Sequence, residues 1–539
     1  MTNSASKEKP HHSGQQREED RMEGNADKRM RYALGIDIGT TAVKVVLLSE
    51  TGQIEEEASA AHDLRSPHRG WAEENAEEWW QNVCTCLCRI RDRAQEKLAR
   101  TAAVGVSGMV PAIVLLDREG KPIRNTIQQN DARAVEEIEE LKQKINQNWL
   151  YEKTGGFTNQ QHVLPRLLWV KRHEPEVFER AATVLGSYDY IAGRLTGARF
   201  VELNWAAESG LFDIRKKEWI PGLSEGFGIS ASLFPEVKAS EAEVGVTKGL
   251  FEQLGLRDGI PVIAGSADHV ASTLSAGITE PGDLLIKFGG AGDILYCTKE
   301  LKTDPRLFFD FHVCPGRYLL NGCMAASGSL VKWFVNGIAK DEDPEALRRL
   351  DQEAEKLAPA SDGLIILPYF LGEKTPIFDP DARGVMLGLT LSHTKAHIFR
   401  AILEAVIYGF RHHIEVLEDM GLKPNHISAT NGGSKSSFWC QIAADILGQE
   451  VRAFRHHPGS SLGVAFLAGK EAGLFQEFSD IERCLPESRI YRPDPERKGI
   501  YDRAYAIYRD TYQRLKPEFQ NLRLLEEETN ELVKKHSGN

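Results

Sequence analysis

Apolar and polar positions alternate in two distant stretches of the chain, and in each stretch a glycine turn joins two predicted strands. In the first, Leu34, Ile36 and Ile38 share one strand face, and a second apolar strand begins at Val43. Residues 283–297 repeat the pattern around a second turn. Either turn alone is weak evidence, because most glycine turns only join hairpins. Together, about 250 residues apart, they indicate an internal duplication in which two similar domains face one cleft.

Strands and helices alternate along the rest of the chain, which predicts an α/β architecture with mixed sheets. The helical spacing of apolar residues predicts long helices at about 75–98 and 395–420. Turn signals flank residues 245–259, for which we predict another helix. The remaining predictions are helical structure at 160–200, 328–337 and 501–515, and strands at 102–107, 113–116, 261–265 and 427–430.

Asp37 lies on the strand face opposite to the two isoleucines, where its neighbours are glycines. A carboxylate on an otherwise apolar strand is costly unless it is paired, hydrogen-bonded or bound to a metal ion. The adjoining turn, Gly39-Thr40-Thr41, offers backbone N–H groups and two hydroxyls to an anion. We therefore predict that this hairpin binds phosphate together with Mg²⁺, with Asp37 as the metal ligand. The alternative is a carboxylate that only caps its own turn.

The composition is that of an ordinary soluble globular protein, with 41% hydrophobic and 27% charged residues. Its 539 residues are enough for two or three domains with large cores. The net charge of −12 argues against nucleic acid and anionic membranes as partners. No apolar run approaches the roughly 20 residues that cross a bilayer.

Residues 1–30 are polar and lack the apolar region of a signal peptide, so we predict a disordered extension. The eight cysteines show no disulfide-framework spacing. Cys84, Cys86 and Cys88 suggest a metal cluster at first sight, but they fall within a helical pattern, and helix packing is their expected role. We expect a cytoplasmic protein, because thiols stay reduced in that compartment.

Four further motifs follow one another along the chain. They are Pro165-Arg166-Leu167-Leu168-Trp169, Gly265-Ser266-Ala267-Asp268, the segment 384–404, and Gly432-Gly433-Ser434-Lys435-Ser436. In this order they resemble the signatures of the FGGY carbohydrate kinase family, over roughly residues 32–473. Among the subfamilies, the chain is most similar to the xylulose kinase-like members. One departure is Arg166, where the family usually has lysine.

This resemblance implies two actin-like (ribonuclease H-like) ATPase domains with mixed sheets around a central cleft. It implies an N-terminal kinase domain at 31–280, which binds sugar and phosphate, and a C-terminal kinase domain at 281–475, which binds the nucleotide. The disordered extension at 1–30 precedes them, and a peripheral helical extension at 476–539 follows. The resemblance also implies ATP and Mg²⁺ as cofactors, a small sugar as the partner, and a homodimer as one option.

Asp268 follows an apolar strand and lies at a strand end, where α/β sheets commonly place ligands. A carboxylate within hydrogen-bond reach of a sugar hydroxyl can accept its proton during phosphoryl transfer. The residues alone leave two readings, a catalytic base or a helix N-cap, because residues 271–276 continue in a helical pattern. The family resemblance implies the catalytic base, and one side chain can fill both roles.

The resemblance further implies that both glycine turns bind the phosphates, through Gly39, Thr40 and Thr41 in the first half and Gly289, Gly290 and Gly292 in the second. The family usually has Gly-Thr-Ser-Gly in the second turn, whereas this chain has Gly-Gly-Ala-Gly and lacks both hydroxyls. Backbone N–H groups can still bind phosphate. Asp293 follows the turn, and a second carboxylate near ATP is repulsive unless it faces Mg²⁺ or caps the turn.

Gly432, Gly433, Ser434 and Lys435 match the family's adenosine-binding segment. Glycines at these positions let the backbone approach the adenine or the ribose closely. The alternative is a strand-to-helix turn with Ser434 as the helix N-cap. The resemblance favours nucleotide binding.

Asn130, Asp131 and Arg133 resemble the sugar-contacting segment of the xylulose kinases, in which Trp-Asn-Asp is usual and Gln129 takes the tryptophan position. Met109 matches the first residue of a sugar-contacting Met-His pair, whose histidine is a valine here. Because a polyol needs dense hydrogen bonding, both changes alter the expected recognition. A ketopentose such as D-xylulose is our first expectation, with ribulose, glycerol or another polyol as alternatives. For Asp131 and Arg133 the alternative role is an ion pair at a helix start.

We predict an ATP- and Mg²⁺-dependent sugar kinase in which Asp268 takes the proton from the attacking hydroxyl. One rival is a non-sugar actin-like ATPase of the chaperone or filament-forming kind, and the two family signatures speak against it. A second rival is a regulatory sugar-binding protein without catalysis, and the presence of both Asp37 and Asp268 speaks against that.

Overall fold

The computed structural model describes residues 30–537, except 341, 342, 344 and 458. The extension predicted at 1–30 therefore lies outside the described residues, apart from Met30. Side chains are not described for Phe251, for residue 531 or for 533–537. Within the described part, two mixed sheets with helices packed against them form the core, which confirms the predicted α/β class.

The first sheet contains the strand meander that the apolar alternation predicts. Its strands are β1 (Tyr32–Ile38), β2 (Ala42–Ser49), β3 (Ile54–Ala61), β4 (Thr101–Gly108), β5 (Glu243–Val246) and β6 (Pro261–Ile263), in the spatial order β5-β6-β4-β1-β2-β3. β1 runs antiparallel to β2 and parallel to β4. The short strand Ser266–Ala267 pairs in parallel with the end of β4. The apolar side chains of the central strands are fully buried, because helices cover both faces of the sheet.

The second sheet repeats this plan. Its strands are β7 (Asp283–Phe288), β8 (Gly292–Thr298), β9 (Phe308–Phe311), β10 (Tyr318–Met324), β11 (His426–Thr430), β12 (Val451–Phe454) and β13 (Ser488–Tyr491), in the order β9-β10-β8-β7-β11-β12-β13. In each sheet an antiparallel meander is followed by two parallel strands and an antiparallel strand beyond them. The shared plan is what an internal duplication predicts.

The helices surround the two sheets. They are α1 (Ala76–Leu98), α2 (Val135–Lys144), α3 (Gln147–Thr154), α4 (Val163–His173), α5 (Pro175–Arg180), α6 (Ser187–Thr196), α7 (Leu203–Glu208), α8 (Phe251–Leu254), α9 (Asp268–Leu274), α10 (Gly328–Trp333), α11 (Ala346–Ala354), α12 (Lys395–Asp419), α13 (Ser437–Leu447), α14 (Ser460–Glu471) and α15 (Pro495–Ser537). Short strands outside the two sheets lie at Glu73–Glu74, Val114–Leu116, Thr126–Ile127, Thr183–Leu185, Val201–Glu202, Phe212–Asp213, Glu218–Trp219, Val237–Lys238, Ile365–Leu367 and Val385–Leu387. Among the described helices, none has the length and apolar character needed to cross a membrane.

The elements α1, α12 and β11 confirm the two long predicted helices and the strand predicted at 427–430. The prediction of a helix at 245–259 is wrong for most of that segment. Residues 243–246 form β5, which pairs antiparallel with β6, and only α8 is helical. Turn signals and local propensity are weak compared with the backbone hydrogen bonds that an extended segment gains at a sheet edge. The tertiary pairing therefore decides this segment.

The helix α14 joins the second half of the chain to the first sheet. It follows β12, yet it packs on β1 and β4. The contact is so close that a Cβ on Gly35 would lie 2.0 Å from the carbonyl oxygen of Ser461. Likewise, a Cβ on Gly463 would lie 2.0 Å from the carbonyl oxygen of Ala271 in α9. These glycines bring the N-terminal end of α14 next to the strand that carries Asp37.

The C-terminal helix α15 is longer than the predicted helix, and its first half belongs to the core. Tyr501 and Tyr508 are almost completely buried. The Tyr501 hydroxyl donates to Glu404 of α12 at 3.1 Å, and the Tyr508 and Tyr369 hydroxyls are hydrogen-bonded at 2.9 Å. The expectation of a peripheral segment is therefore wrong for this part of the helix, because its tyrosines complete the packing around α12.

Candidate active site

The first glycine hairpin places Asp37 near the carboxyl end of β1. Ser107 of β4 donates a hydrogen bond of 2.8 Å to Asp37 Oδ1, and Lys44 of β2 lies directly opposite Asp37 in the register. Burial raises the pKa of Asp37 to about 6, and the nearby carboxylate of Asp268 adds to the rise, while hydrogen bonds from Ser460 and Ser107 oppose it. A buried carboxylate that is costly to ionise alone suits a cation, because the cation offsets the loss of solvation. The donor chemistry of Asp37 thus fits Mg²⁺, which prefers oxygen ligands.

The turn after β1 is closed by its backbone and leaves its threonines accessible. The Gly39 N–H donates to the carbonyl oxygen of Ala42 at 3.1 Å. Thr40 and Thr41 are exposed. This is the arrangement that phosphate binding by the two threonines requires.

Asp268 is the first residue of α9 and follows the short strand that pairs with the end of β4. Its Oδ1 accepts the backbone N–H of His269 at 2.6 Å, and 36% of its side chain is exposed, so the carboxylate is both held and accessible. Burial acts to raise the pKa of Asp268, but His269 and Lys287 outweigh it and hold the pKa below its ordinary value. The N-cap of α9 is Ala267, so the alternative of Asp268 as the N-cap is wrong. Asp268 is the first helical residue, and its ionised carboxylate is partly exposed.

Three residues that the motifs do not single out gather beside Asp268. His269 Nε2 lies 3.2 Å from Asp310 Oδ2 of β9 and 3.9 Å from Glu208 Oε1 of α7. Burial acts to lower the pKa of His269, but the surrounding carboxylates, Asp310 first, raise it well above its ordinary value. A histidine next to the predicted base is the sequence signal for this cluster. Its two carboxylate partners come from distant elements and give no local signal.

The second glycine turn is held by the start of α10. The Gly289 carbonyl oxygen accepts the N–H of Gly328 at 2.8 Å, and that of Gly290 accepts the N–H groups of Ser327 and Ser329 at 2.9 and 3.1 Å. The Ser327 and Ser329 hydroxyls are buried and have no hydrogen-bond partner within the described part of the chain. They lie beside the turn that lacks its own hydroxyls. Both serines lie in a run of small residues, which is the sequence signal for them, but none of the family motifs named above includes this run.

Lys287 connects the second hairpin to the helix of the predicted base. Its ammonium group lies 3.7 Å from Asp293 Oδ2, directly across the hairpin, and donates to Ser272 Oγ of α9 at 3.3 Å. Asp293 is thereby paired with a cation, which removes much of the repulsion expected between this carboxylate and a phosphate. The second hairpin therefore contacts α9, the helix that Asp268 begins.

The predicted adenosine segment forms a 3₁₀ turn, Gly432–Lys435, between β11 and α13. A Cβ on Gly433 would lie 2.5 Å from Phe288 Cβ and 2.6 Å from the ring of Trp439. These two aromatic rings are stacked, with centroids 4.9 Å apart. Gly433 is therefore required by packing, while the first and last residues of the turn are exposed.

Ser434 does not cap the following helix, so that alternative is wrong. Its buried hydroxyl donates to the carbonyl oxygen of Phe454 at 2.6 Å. The N-cap of α13 is Ser436, whose Oγ accepts the N–H of Trp439 at 3.0 Å. Ser434 instead ties the turn to the end of β12.

Asp131 and Arg133 form a buried ion pair just before α2. Arg133 Nε and Nη2 donate to the two carboxylate oxygens of Asp131 at 2.9 and 2.7 Å, and Nη2 also lies 2.8 Å from Glu73. The guanidinium lies over the rings of Trp71 and Trp169, 3.8 and 4.9 Å from their centroids. Neither side chain of the pair is exposed. This geometry matches the alternative of an ion pair at a helix start.

The neighbouring residues of the predicted sugar segment are more accessible. Asn130 is exposed and Gln129 is partly exposed, whereas Met109 is buried at the end of β4. The buried guanidinium of Arg166 donates to the carbonyl oxygen of Gln128 at 2.9 Å. Arg166 and the ion pair thus hold the loop on its buried side, and Gln129 and Asn130 are its accessible residues.

Comparison with known proteins agrees with this fold. Residues 32–275 match the N-terminal domain of the FGGY family of carbohydrate kinases, and residues 302–472 match the C-terminal domain of the same family. The chain therefore belongs to the FGGY family of carbohydrate kinases. It is a phosphotransferase with an alcohol group as acceptor, and the two-domain, actin-like fold expected from the sequence is confirmed.

Several relatives resemble the chain over nearly its whole length. The xylulose kinase of Bacillus subtilis (strain 168) is 30% identical over 90% of this chain and 98% of its own. The crystal structure of xylulose kinase from Rhodospirillum rubrum is 41% identical, with a TM-score of 0.87 over 91% of this chain and 100% of that one. The gluconate kinase from Lactobacillus acidophilus is 26% identical, with a TM-score of 0.85 over 92% of this chain and 100% of that one.

Proposed function

We propose that this kinase transfers the γ-phosphate of ATP, with Mg²⁺, to a hydroxyl of a neutral ketose, and that a ketopentose such as D-xylulose is its acceptor. The observation that carries the proposal is the placement of Asp37 and Asp268 at the ends of two strands that flank β4 in the first sheet. Lys287 of the second sheet contacts α9, the helix that Asp268 begins. The similarity to proteins named xylulose kinase supports the choice of sugar.

Asp268 acts as the general base in this proposal. It accepts the proton of the attacking hydroxyl while the hydroxyl oxygen bonds to the γ-phosphorus and the bond to ADP breaks. Its lowered pKa keeps the carboxylate ionised at neutral pH. Its exposure leaves room for a hydroxyl at hydrogen-bond distance.

The two hairpins bind the phosphates from opposite sides. Asp37 would hold Mg²⁺, and the ion would supply positive charge that offsets the charge of the phosphates. Phosphate contacts come from the backbone and hydroxyls of Gly39, Thr40 and Thr41 on one side and from the backbone of Gly289, Gly290 and Gly292 on the other. Lys287 adds a positive charge beside the second turn, which compensates for the hydroxyls that this turn lacks.

The nucleotide base and ribose lie along the turn Gly432–Lys435. Its exposed ends, Gly432 and Lys435, offer an open backbone and a cationic side chain. Gly433 and Ser434 contribute by shaping the turn against Trp439 and β12. Binding through the backbone at such a turn agrees with the close approach that glycines permit.

The charges beside the base favour a neutral acceptor over an acidic sugar. Asp268 is a partly exposed carboxylate, Asp310 is buried close by, and His269 is the cation that they share. The carboxylate of an aldonate such as gluconate would meet like charges here, which costs binding energy in a partly buried site. A ketose presents only hydroxyls and a carbonyl, and carboxylates are strong acceptors for hydroxyl groups.

The test is a coupled ADP-release assay with Mg²⁺ATP across D-xylulose, D-ribulose, glycerol and D-gluconate, with mass spectrometry of the sugar phosphate. We expect the highest kcat/KM for D-xylulose and background rates for gluconate. The Asp268→Asn variant is the matched control, because it keeps the size of the side chain but lacks the basic carboxylate. Faster turnover of gluconate would refute the neutral acceptor. ATP hydrolysis without any sugar phosphate would instead favour a non-sugar ATPase.

A further inference from the structure

His269, the residue after Asp268, contacts both halves of the molecule, which are the domains predicted at 31–280 and 281–475. It belongs to α9 of the first half, whereas Asp310, 3.2 Å from its Nε2, belongs to β9 of the second half. Glu208 approaches the same nitrogen from α7 at 3.9 Å, and Asp268 Oδ1 lies 3.5 Å from Nδ1. The imidazole is thus enclosed by three carboxylates that come from three different elements.

The carboxylate of Asp310 is itself fixed in place. It is almost fully buried, and Asn321 of β10 donates to its Oδ2 at 2.9 Å. Asn204 of α7 binds the backbone of Phe311 twice, with its amide donating to the carbonyl oxygen at 3.0 Å and its Oδ1 accepting the N–H at 2.8 Å. These bonds hold β9 against α7, so Asp310 cannot leave His269 unless the two halves separate.

We propose that His269 is a positioning residue which, held by Asp310 and Glu208, keeps the carboxylate of Asp268 oriented and ionised, and that it does so only when the two halves are docked. The inference rests on the role of Asp268 as the base in the proposed function. It adds a contact through which the second half of the chain acts on that base.

The physical reason is the charge that the two halves create together. A buried imidazole is neutral unless carboxylates surround it, and Asp310 is the largest favourable influence on its charged form. The titratable groups that face His269 are Asp268 from its own helix, Glu208 from α7 and Asp310 from β9, and burial together with Asp310 raises the pKa of Glu208 well above its ordinary value. Behind them, Lys287 of β7 also acts on Asp268, and Glu202 acts on Glu208. Losing Asp310 therefore weakens the cation beside the base.

Steady-state kinetics of three variants test the role of His269. We expect His269→Ala to lower kcat by about 10²-fold with little change in the KM for ATP, within the range that general bases contribute. His269→Gln, which keeps a hydrogen-bonding side chain but no charge, should fall between wild type and His269→Ala. Asp310→Asn should lower kcat by about tenfold although it lies outside the first half.

The chain offers a matched control for the loss of a histidine–carboxylate pair. His426 Nδ1 lies 3.2 Å from Asp283 Oδ1, and the His426 side chain is 82% exposed at the start of β11. His426→Gln should leave kcat and KM unchanged. If it lowered kcat as much as His269→Gln, the effect would be a general loss of stability, and the positioning role would be refuted.

A second measurement does not depend on activity. In protein with ¹³C-labelled histidine, the His269 imidazole resonance should titrate at a pH well above that of an ordinary histidine, and Asp310→Asn should move this titration to lower pH. An unmoved titration, or a His269→Ala variant whose kcat stays within about twofold of wild type, would overturn the inference. A wild-type enzyme inactive on every sugar would refute the proposed function alone, since the His269 titration would still report the contact.

Discussion

The two glycine hairpins have the same backbone plan, yet they carry opposite charges at equivalent positions. The inner strand of each hairpin is the one that also pairs with the next parallel strand, and it is β1 in the first hairpin and β7 in the second. Asp37 of β1 lies opposite Lys44 of β2. On the inner strand of the second hairpin, Lys287 pairs with Asp293. Each inner position also lies beside a hydroxyl residue of the next parallel strand, Ser107 in the first half and Thr430 in the second. The second hairpin thus has the same strand pairing as the first, but the positive and negative residues have exchanged strands.

This difference explains how a duplicated scaffold can bind one asymmetric ligand. A metal-bound nucleotide presents a cation that needs an oxygen ligand and phosphates that need positive charge. The inner strands β1 and β7 end at the glycine turns, so in our proposal their charges decide which part of the ligand each half receives. In our proposal the first half takes the metal through Asp37, and the second takes phosphate through Lys287 and the turn backbone.

The largest effect should follow from removing the proposed base. Asp268→Asn is expected to lower kcat by about 10²–10⁴-fold, because the proton of the hydroxyl loses its acceptor. Binding of a nucleotide analogue should be retained, and isothermal titration calorimetry with that analogue serves as the control. Turnover close to wild type would remove Asp268 from the mechanism.

A matched pair of substitutions tests the charge asymmetry itself. Asp37→Asn should raise the Mg²⁺ concentration needed for half-maximal activity by at least about tenfold, since the metal loses its carboxylate. Asp293→Asn removes a carboxylate from the equivalent hairpin but should change this concentration by no more than about twofold. Titrations of activity with Mg²⁺ at fixed ATP make the comparison. Equal effects in the two variants would show that both hairpins serve the metal alike.

The raised pKa of Asp37 predicts a pH-dependent stability of the metal-free protein. Its pKa is about 6 in the folded protein against 3.8 ordinarily, so the folded state binds this proton more tightly than the unfolded chain. The contribution of Asp37 to the free energy of unfolding therefore falls as pH rises from about 4 to about 6 and is level above that. At neutral pH the ionised group costs at most about 3 kcal/mol.

Urea unfolding in EDTA measures this cost by comparing Asp37→Asn with wild type. The variant should be the more stable protein at about pH 7, and the difference should shrink towards about pH 4. A difference in the free energy of unfolding that does not change with pH would mean that ionising Asp37 costs the folded protein no stability.

The smallest expected effect compares two glycines of the second half. Gly433→Ala places a Cβ against Phe288 and Trp439 and should lower the free energy of unfolding by about 1–3 kcal/mol, as overpacking does. Gly290→Ala meets nothing within 4 Å and should change it by less than about 0.5 kcal/mol. Urea unfolding of both variants, together with measurements of nucleotide binding, distinguishes a glycine that packing requires from one that leaves space for a ligand. Equal destabilisation would contradict that distinction.

Much of the fold was predictable because it depends on local patterns. Alternating apolar residues around glycines define both hairpins, and helical spacing defines α1 and α12, so their positions agree with the structure. The segment 245–259 was not predictable in this way, because β5 exists only through its pairing with β6. The limits of the domains and the roles of the site residues stay predictions, although the placement of Asp37 and Asp268 agrees with them.

The sequence by itself determined the family, the two hairpins and the candidates Asp37 and Asp268, since short motifs with fixed spacing carry that information. Tertiary structure alone decided that Arg133 also meets Glu73, that Ser434 bonds to the end of β12, and that Asp310 meets His269. The physical reason is the range of the interactions. Turn and strand preferences act between near neighbours in the chain, whereas buried charges are compensated by partners that only the folded chain brings within hydrogen-bond distance.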